Sequence, residues 1–230
     1  METSILYKIR KKAGKIIENQ LLKTGRVLDV RYWESADMIE IDLHLPTADM
    51  QSWNQIPYIK LCVDDFTFRD YTPFGWDADI ATCSLLIDAD HDGPGSRWAK
   101  SLRTGDTIHY LKMESTRQAP HPTDFVVGLG DASSLGHLLA LQQLTMPKAR
   151  FDGAVLLPNP NCGKLLSEYF SSPLHILPTA SEITEWLLKQ GYCTAHTWFY
   201  LIGNDHFVSE LRRLLKSLGH HNIRVKGFWS

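Results

Sequence analysis

Apolar and polar residues alternate through the first half of the chain in short runs that polar, glycine or proline residues separate. Ile39-Glu40-Ile41-Asp42-Leu43-His44-Leu45 has the plainest pattern. A period of two places one face of a strand inward and the other in water. Runs of this kind predict strands at residues 25–32, 38–45, 59–63, 66–71, 80–87 and 107–111. Short strands in this arrangement predict a small antiparallel β-barrel.

After Gln118-Ala119-Pro120-His121-Pro122 the pattern changes to apolar strands followed by helices. Strands are predicted at residues 125–129, 153–157, 174–177 and 197–202, and helices at 135–144, 163–170, 181–190 and 206–218. Alternating strands and helices predict a parallel sheet with helices on both faces. We therefore expect a barrel domain with an N-terminal helix over residues 1–118 and an α/β domain over 119–230.

Composition limits the classes of partner. The chain has 230 residues, of which 43% are hydrophobic, enough for a substantial core. Its 24 basic and 26 acidic residues give a formal net charge of -2, so nothing favours nucleic acid as a partner. The four cysteines lack Cys-x-x-Cys spacing, so we expect reduced thiols and neither a zinc site nor a redox dithiol.

The N-terminal segment has isoleucines and basic residues at helical spacing, for example Ile5, Ile9 and Ile16 with Lys8. It has no long apolar run, so neither a signal peptide nor a transmembrane helix is predicted. We expect a cytoplasmic protein without stable membrane insertion. A helix docked on the protein body is favoured over a membrane-surface helix, because Gly14 interrupts the segment and no tryptophan or phenylalanine lies on its apolar side.

Two motifs carry the candidate chemistry. Arg69-Asp70-Tyr71-Thr72 combines a guanidinium fork, an aromatic face and a hydroxyl group. Further along, Asp92-Gly93-Pro94-Gly95-Ser96-Arg97-Trp98 has glycines before a helix that is predicted over residues 96–101, with Ser96 as its cap. The pair is typical of a flavin site, although each motif alone also fits an ordinary strand end or turn.

In order and spacing, the motifs are similar to those of the siderophore-interacting proteins, which are FAD-dependent ferric-siderophore reductases of the ferredoxin-reductase superfamily. That family has Arg-x-Tyr-Ser/Thr, then His-Gly-x-Gly-Pro-Ala-Ser-x-Trp-Ala, Gly-Asp, and a late Gly-Tyr-Trp. This chain has Arg69-Asp70-Tyr71-Thr72, Gly93 to Ala99, Gly105-Asp106 and Gly227-Phe228-Trp229. The resemblance spans most of the chain. It implies an FAD-binding barrel followed by an NAD(P)H-binding-like α/β domain.

The resemblance also implies roles for the strand-end motif. Arg69 would bind the FAD pyrophosphate, Tyr71 would stack on the isoalloxazine ring, and Thr72 would hydrogen-bond near flavin N5. These roles suit the chemistry of the side chains, because a fork of donors matches phosphate oxygens and an aromatic face covers a planar ring.

For the second motif, the resemblance implies that Gly93, Gly95 and Ser96 contact the pyrophosphate through backbone N–H groups and a hydroxyl. The family's His-Gly is Asp90-His91 here, which places negative charge near an anionic ligand. The Asp90 carboxylate either faces solvent or binds ribose hydroxyls. Trp98 is expected to pack its helix on the barrel.

The nicotinamide cofactor would lie at Gly130, Asp131 and Ser133, where a strand ends and Ser133 or Ser134 is available as a helix cap. Where the family has Gly-Asp-Glu-Thr-Ala, this chain has Gly130-Asp131-Ala132-Ser133-Ser134. Where the family later has Gly-Glu, this chain has Gly203-Asn204. Flavin binding is therefore better supported than nicotinamide binding. Trp229, in the C-terminal aromatic pair, would reach back toward the flavin.

The resemblance implies an enzyme that passes electrons from NAD(P)H, or from another donor such as a protein, through FAD to a ferric siderophore and so releases ferrous iron. We expect no catalytic acid or base and no metal ligand, because the iron would arrive chelated. Two alternatives stay open: another flavin reductase of the superfamily, acting on ferredoxin, a quinone or free flavin, and a non-catalytic flavin-binding module.

Overall fold

A computed structural model describes residues 22–229 except 34–37, 66, 124, 147 and 159–164, with only the backbone of Trp229. The predicted N-terminal helix lies outside the described residues. Within the part of the chain that is described, every helix is too short or too polar to span a bilayer.

The first sheet is antiparallel and has seven strands in the order β4-β3-β7-β1-β2-β6-β5. These strands are β1 (Lys23–Trp33), β2 (Met38–His44), β3 (Pro57–Asp64), β4 (Thr67–Tyr71), β5 (Phe74–Asp77), β6 (Thr82–Asp88) and β7 (Thr107–Ser115). The antiparallel barrel predicted from the alternation is confirmed. Strand β5 was not predicted, and the strand expected over residues 80–87 begins at Thr82.

Alternate residues of these strands fill one core inside the barrel. On β2, Ile39, Ile41 and Leu43 are fully buried, and Ile59 and Leu61 of β3 join them in the same apolar cluster. The period-two pattern thus turns one face of every long strand toward the same centre, which curves the sheet around it.

One helix, α1 (Pro94–Ser101), lies between β6 and β7. Gly93 is its N-cap residue and Pro94 occupies the first helical position, where the fixed φ of proline and its missing N–H suit the start of a helix. The prediction that Ser96 caps the helix is wrong. Ser96 is buried inside the first turn, and its hydroxyl lies 3.5 Å from the Asp88 carbonyl oxygen.

The second sheet is parallel and has five strands in the order β10-β9-β8-β11-β12. Its strands are β8 (Phe125–Asp131), β9 (Arg150–Leu156), β10 (Leu174–Leu177), β11 (Thr197–Asn204) and β12 (Ile223–Trp229), and the helices are α2 (Leu135–Thr145), α3 (Ala180–Gln190) and α4 (Asp205–Ser217). A short π-helical turn, Leu165–Tyr169, replaces most of the helix predicted over residues 163–170. Edge strand β12 was not predicted.

Neighbouring residues of the second sheet belong to different apolar layers, as a sheet covered on both faces requires. Val126 packs with helix α2, whereas Val127 packs with helices α3 and α4. The prediction of helices on both faces is confirmed.

The two sheets share a core through helix α2. Leu135 and Leu138 of this helix lie in the same apolar cluster as Trp33, Phe74 and Leu86 of the barrel. This helix is buried over most of its length, which is expected of a helix that packs between two sheets. The common core fixes the position of the helix start relative to the end of β4.

Candidate functional site

The end of strand β4 and the start of helix α1 meet, so the two motifs found in the sequence are also neighbours in space. An added Cβ at Gly95 would clash with the Tyr71 hydroxyl and would lie 3.8 Å from Arg69 Cγ. Glycine is therefore required where the first turn of the helix approaches the strand. The N–H groups of such a first turn have no partner within the helix and are available to an anion.

Tyr71 is held by a second aromatic ring from the same helix. The rings of Tyr71 and Trp98 are nearly parallel, with centroids 6.1 Å apart and an interplanar angle of 18°. Trp98 also packs against the barrel core, as expected. Burial raises the pKa of Tyr71 to about 12, opposed in part by the nearby Arg69 charge. The phenol thus keeps its proton at neutral pH and can donate a hydrogen bond.

Arg69 provides positive charge at the same place. Its side chain is exposed, and its Nη1 donates a hydrogen bond to the Phe68 carbonyl oxygen at 2.8 Å. No carboxylate among the described residues forms an ion pair with it. The adjacent Asp70 instead pairs with Lys60 at 2.7 Å. The guanidinium group therefore retains its charge for an anionic ligand.

The loop before α1 is acidic in sequence, but part of its charge is neutralised. Asp92 pairs with Arg97 at 2.9 Å, whereas Asp90 is exposed. His91 lies against Gly93, and its Nε2 is 3.3 Å from the buried Ser96 hydroxyl. The Ser96 side chain thus contributes to holding the loop, which leaves the backbone N–H groups of the first turn as the available hydrogen-bond donors.

Thr72 belongs to a different environment from Tyr71. An added Cβ at Gly136, in the first turn of α2, would lie 3.1 Å from the Thr72 carbonyl oxygen, and the Thr72 hydroxyl is 3.4 Å from His137 Nδ1. On its other side, His137 Nε2 is 2.9 Å from Gln118 Oε1. His137 is 1% exposed, and burial, aided by the nearby Lys226 charge, lowers its pKa to about 3.

The C-terminal strand reaches the same junction. The ring of Phe228 lies 5.7 Å from that of His137 at an angle of 60°, and Phe228 is 38% exposed. Phe228 of β12 thus lies next to His137, the residue that contacts Thr72. Trp229 follows it at the end of β12, and its side chain lies outside the described residues.

The predicted nicotinamide residues cluster at the carboxyl end of the parallel sheet. The Asp131 carboxylate accepts hydrogen bonds from the Asn204 backbone N–H at 2.7 Å and from the Ser133 hydroxyl at 2.6 Å. Gly130 packs closely against the Ser134 side chain and β11. Ser134 is the N-cap residue of α2, as expected, but its hydroxyl donates to the Asp131 carbonyl oxygen at 2.7 Å and does not bond the helix N–H groups. The Asp131 carboxylate is thus used inside the protein, where it joins the ends of β8 and β11.

The two halves of the candidate site are electrostatically connected. Burial raises the pKa of Asp88, the hydrogen bond from the Asp90 backbone N–H and the nearby His91 oppose this rise, and the charges of Asp90 and Asp131 add to it by smaller amounts. The carboxyl end of the parallel sheet is therefore acidic close to the loop before α1. Among the described residues, no group of three His, Cys, Asp or Glu side chains is arranged to hold a metal ion.

The structure brings together Arg69, Tyr71 and Gly95, and it places Gly93 in the same first turn. Thr72 points to α2 rather than α1. Sequence reasoning missed His137 and Gln118, which lie far apart in the chain and meet only through packing. A buried polar residue within the apolar run of α2 was the available signal for His137.

No family model matches the chain, and a search of curated proteins finds no match. Solved structures do match. A siderophore-interacting protein from Acinetobacter baumannii has a TM-score of 0.71 at 14% identity, with 90% of each chain covered. The siderophore-interacting protein SipS from Aeromonas hydrophila has a TM-score of 0.71 at 15% identity, covering 90% of this chain and 91% of that one.

A ferredoxin NADP+ reductase from Neisseria gonorrhoeae, solved with bound FAD and NADP, has a TM-score of 0.68 at 16% identity and covers 90% of this chain and 98% of that chain. These likenesses establish a common fold. The chain thus has the architecture of the ferredoxin reductases and the siderophore-interacting proteins, an antiparallel barrel followed by a parallel sheet with helices.

Proposed function

We propose that this chain is an FAD-dependent oxidoreductase that passes electrons from NAD(P)H or another donor to a ferric siderophore and releases ferrous iron. The observation that carries the proposal is the meeting of Arg69 and Tyr71 with the glycine-lined start of helix α1. The fold and the order of the sequence motifs support it. Residues 1–118 would form the flavin domain and 119–230 the α/β domain.

The residues at the end of β4 fit FAD in charge and shape. Arg69 would bind the pyrophosphate with its guanidinium fork, and the backbone N–H groups at Gly93, Gly95 and Ser96 would donate to the same phosphates. The neutral Tyr71 phenol supplies a further donor and a ring face for the isoalloxazine. The exposed Asp90 carboxylate is free to bind ribose hydroxyls.

Bound FAD would supply the redox chemistry, accepting electrons in pairs and passing them on singly. The protein residues position and shield it. Thr72 would contact the N5 edge, and the apolar surroundings of Tyr71 and Trp98 would exclude water from one ring face. No protein acid or base is required at the iron.

The acceptor side is proposed at Phe228 and Trp229. Lys226 and Arg224 on β12 place positive charge beside this surface, and Arg224 lies 5.2 Å above the Trp198 ring. Two cations on one strand would attract an anionic ferric chelate.

A second candidate is a flavin reductase whose donor is not a pyridine nucleotide. The observation that favours it is that the Asp131 carboxylate accepts hydrogen bonds from Asn204 and Ser133. Gly130, Asp131 and Ser133 are the residues that would hold the nicotinamide cofactor. A carboxylate so close to a pyrophosphate would weaken its binding. A donor protein docking at the flavin would not need this site.

The first experiment is an absorption spectrum of the purified chain, followed by anaerobic titration with NADH and NADPH and then with a ferric chelate. Flavin bands that bleach with nucleotide and return with the chelate are expected. Bands unchanged by either nucleotide would favour the second candidate, and a colourless protein that rejects added FAD would refute the flavin proposal. The same spectra of Arg69→Ala are expected to show less bound FAD. Arg26→Ala is the matched control, because Arg26 is an exposed arginine elsewhere on the barrel.

A further inference from the structure

A chain of polar groups links β12 to Thr72 through the shared core. Gln118 Nε2 donates a hydrogen bond to the Val225 carbonyl oxygen at 3.5 Å, and Gln118 Oε1 is 2.9 Å from His137 Nε2. His137 Nδ1 is in turn 3.4 Å from the Thr72 hydroxyl. His137 is 1% exposed, so water does not compete for either nitrogen.

The direction of every hydrogen in this chain follows from its first member. A carbonyl oxygen can only accept, so the Gln118 amide nitrogen faces Val225 and the amide oxygen faces His137. That oxygen requires a hydrogen on His137 Nε2. Because the pKa of His137 lies near 3, the ring is neutral and Nδ1 carries no hydrogen. The Thr72 hydroxyl must therefore donate its only hydrogen to Nδ1.

We propose that His137 is a positioning residue that leaves the Thr72 hydroxyl only as a hydrogen-bond acceptor toward the flavin, so that the site favours reduced FAD. This inference rests on the proposed function, in which Thr72 lies at flavin N5. Oxidised flavin has no hydrogen at N5, whereas reduced flavin does. An acceptor at this position is thus matched to the reduced form, and a hydroxyl free to rotate would serve both forms.

The histidine tautomer tests the relay without flavin. Long-range ¹⁵N–¹H spectra of the full chain are expected to show His137 neutral, with its hydrogen on Nε2, from pH 5 to pH 8. In Gln118→Met the amide acceptor is lost, so a population with the hydrogen on Nδ1 is expected. A wild-type His137 with its hydrogen on Nδ1 would overturn the inference.

The midpoint potential of bound FAD tests the consequence. His137→Leu removes the acceptor for Thr72, and we expect the preference for reduced over oxidised FAD to fall about fivefold, which for two electrons is about 20 mV. His137→Asn keeps an oxygen near the place of Nδ1 and is expected to restore most of the preference. In Gln118→Met, which keeps His137, the preference for reduced over oxidised FAD is also expected to fall.

The outcomes separate the two proposals. A chain that binds FAD with the same potential in the wild type, His137→Leu and Gln118→Met overturns this inference and leaves the proposed function standing. A chain that binds no FAD overturns both. A change of packing alone would alter FAD affinity in both oxidation states equally and leave the potential unmoved.

Discussion

Acidification should destabilise this fold through His137. The pKa of this residue falls from an ordinary value of 6.5 to about 3, because burial disfavours the charged ring and Lys226 repels it. The other groups facing it, Thr72, Gln118 and Phe228, carry no charge. Below pH 6.5 the unfolded chain therefore binds a proton that the folded chain does not. The contribution of the neutral, buried His137 ring to stability is complete above pH 6.5 and is lost as the pH falls toward 3.

The size of the effect follows from the two pKa values. Each pH unit below 6.5 costs about 1.4 kcal/mol of unfolding free energy, so the loss is about 2 kcal/mol at pH 5 and about 5 kcal/mol at pH 3. A loss of 2 kcal/mol is a large part of the stability of an ordinary domain.

Urea unfolding of the wild type and of His137→Asn at pH 7.5, 6 and 5 measures this contribution. Other histidines and carboxylates titrate in both proteins and cancel in the comparison. We expect the wild type to lose about 2 kcal/mol more than the variant between pH 7.5 and pH 5. Parallel pH profiles would show that the ring accepts a proton in the folded protein, and the reasoning about its tautomer would fail with it.

Three further predictions concern the candidate site. Gly95→Ala should displace the Tyr71 phenol and weaken FAD binding about tenfold by fluorescence titration; unchanged affinity would mean that this contact does not shape the site. Arg69→Ala should weaken FAD binding between about 10-fold and 100-fold, and Arg69→Lys should restore only part, because an ammonium group lacks the fork; full rescue by lysine would contradict bidentate phosphate binding. Asp131→Ala should lower the unfolding free energy by about 1–3 kcal/mol, because the Asn204 N–H loses its acceptor, whereas Asp131→Asn keeps an oxygen there and should cost less; equal losses in chemical denaturation would contradict this role.

Much of the fold is predictable because its strands have a simple burial pattern. The alternation over residues 39–45 predicts β2, and the strand-helix rhythm after residue 122 predicts the parallel sheet. Strand β5 escapes prediction because Phe74–Asp77 has only four residues, follows Pro73 and contains Gly75. Edge strand β12 is missed because its alternation with basic residues also fits an exposed segment.

The candidate site is predictable where one motif carries it. Arg69 and Tyr71 share a strand face, and the glycines near Ser96 mark a helix start, so both could be placed from the sequence. The Ser96 cap is wrong because Pro94 starts the helix earlier and buries the serine. The partners of His137 are not predictable, because they lie 65 and 19 residues away in the chain and only the shared core brings them together.

Because the two halves of the chain share a core, we expect neither half to fold stably when it is produced alone. A gene fragment that stops at residue 118 would leave Phe74 and Leu86 uncovered, and one that starts at residue 119 would expose the face of α2 at Gly136, which lies against Phe74 and Leu86. Each fragment is expected to aggregate. A chimera in which the parallel sheet and its helices come from a relative is expected to fold only if the barrel residues that contact α2 are exchanged as well.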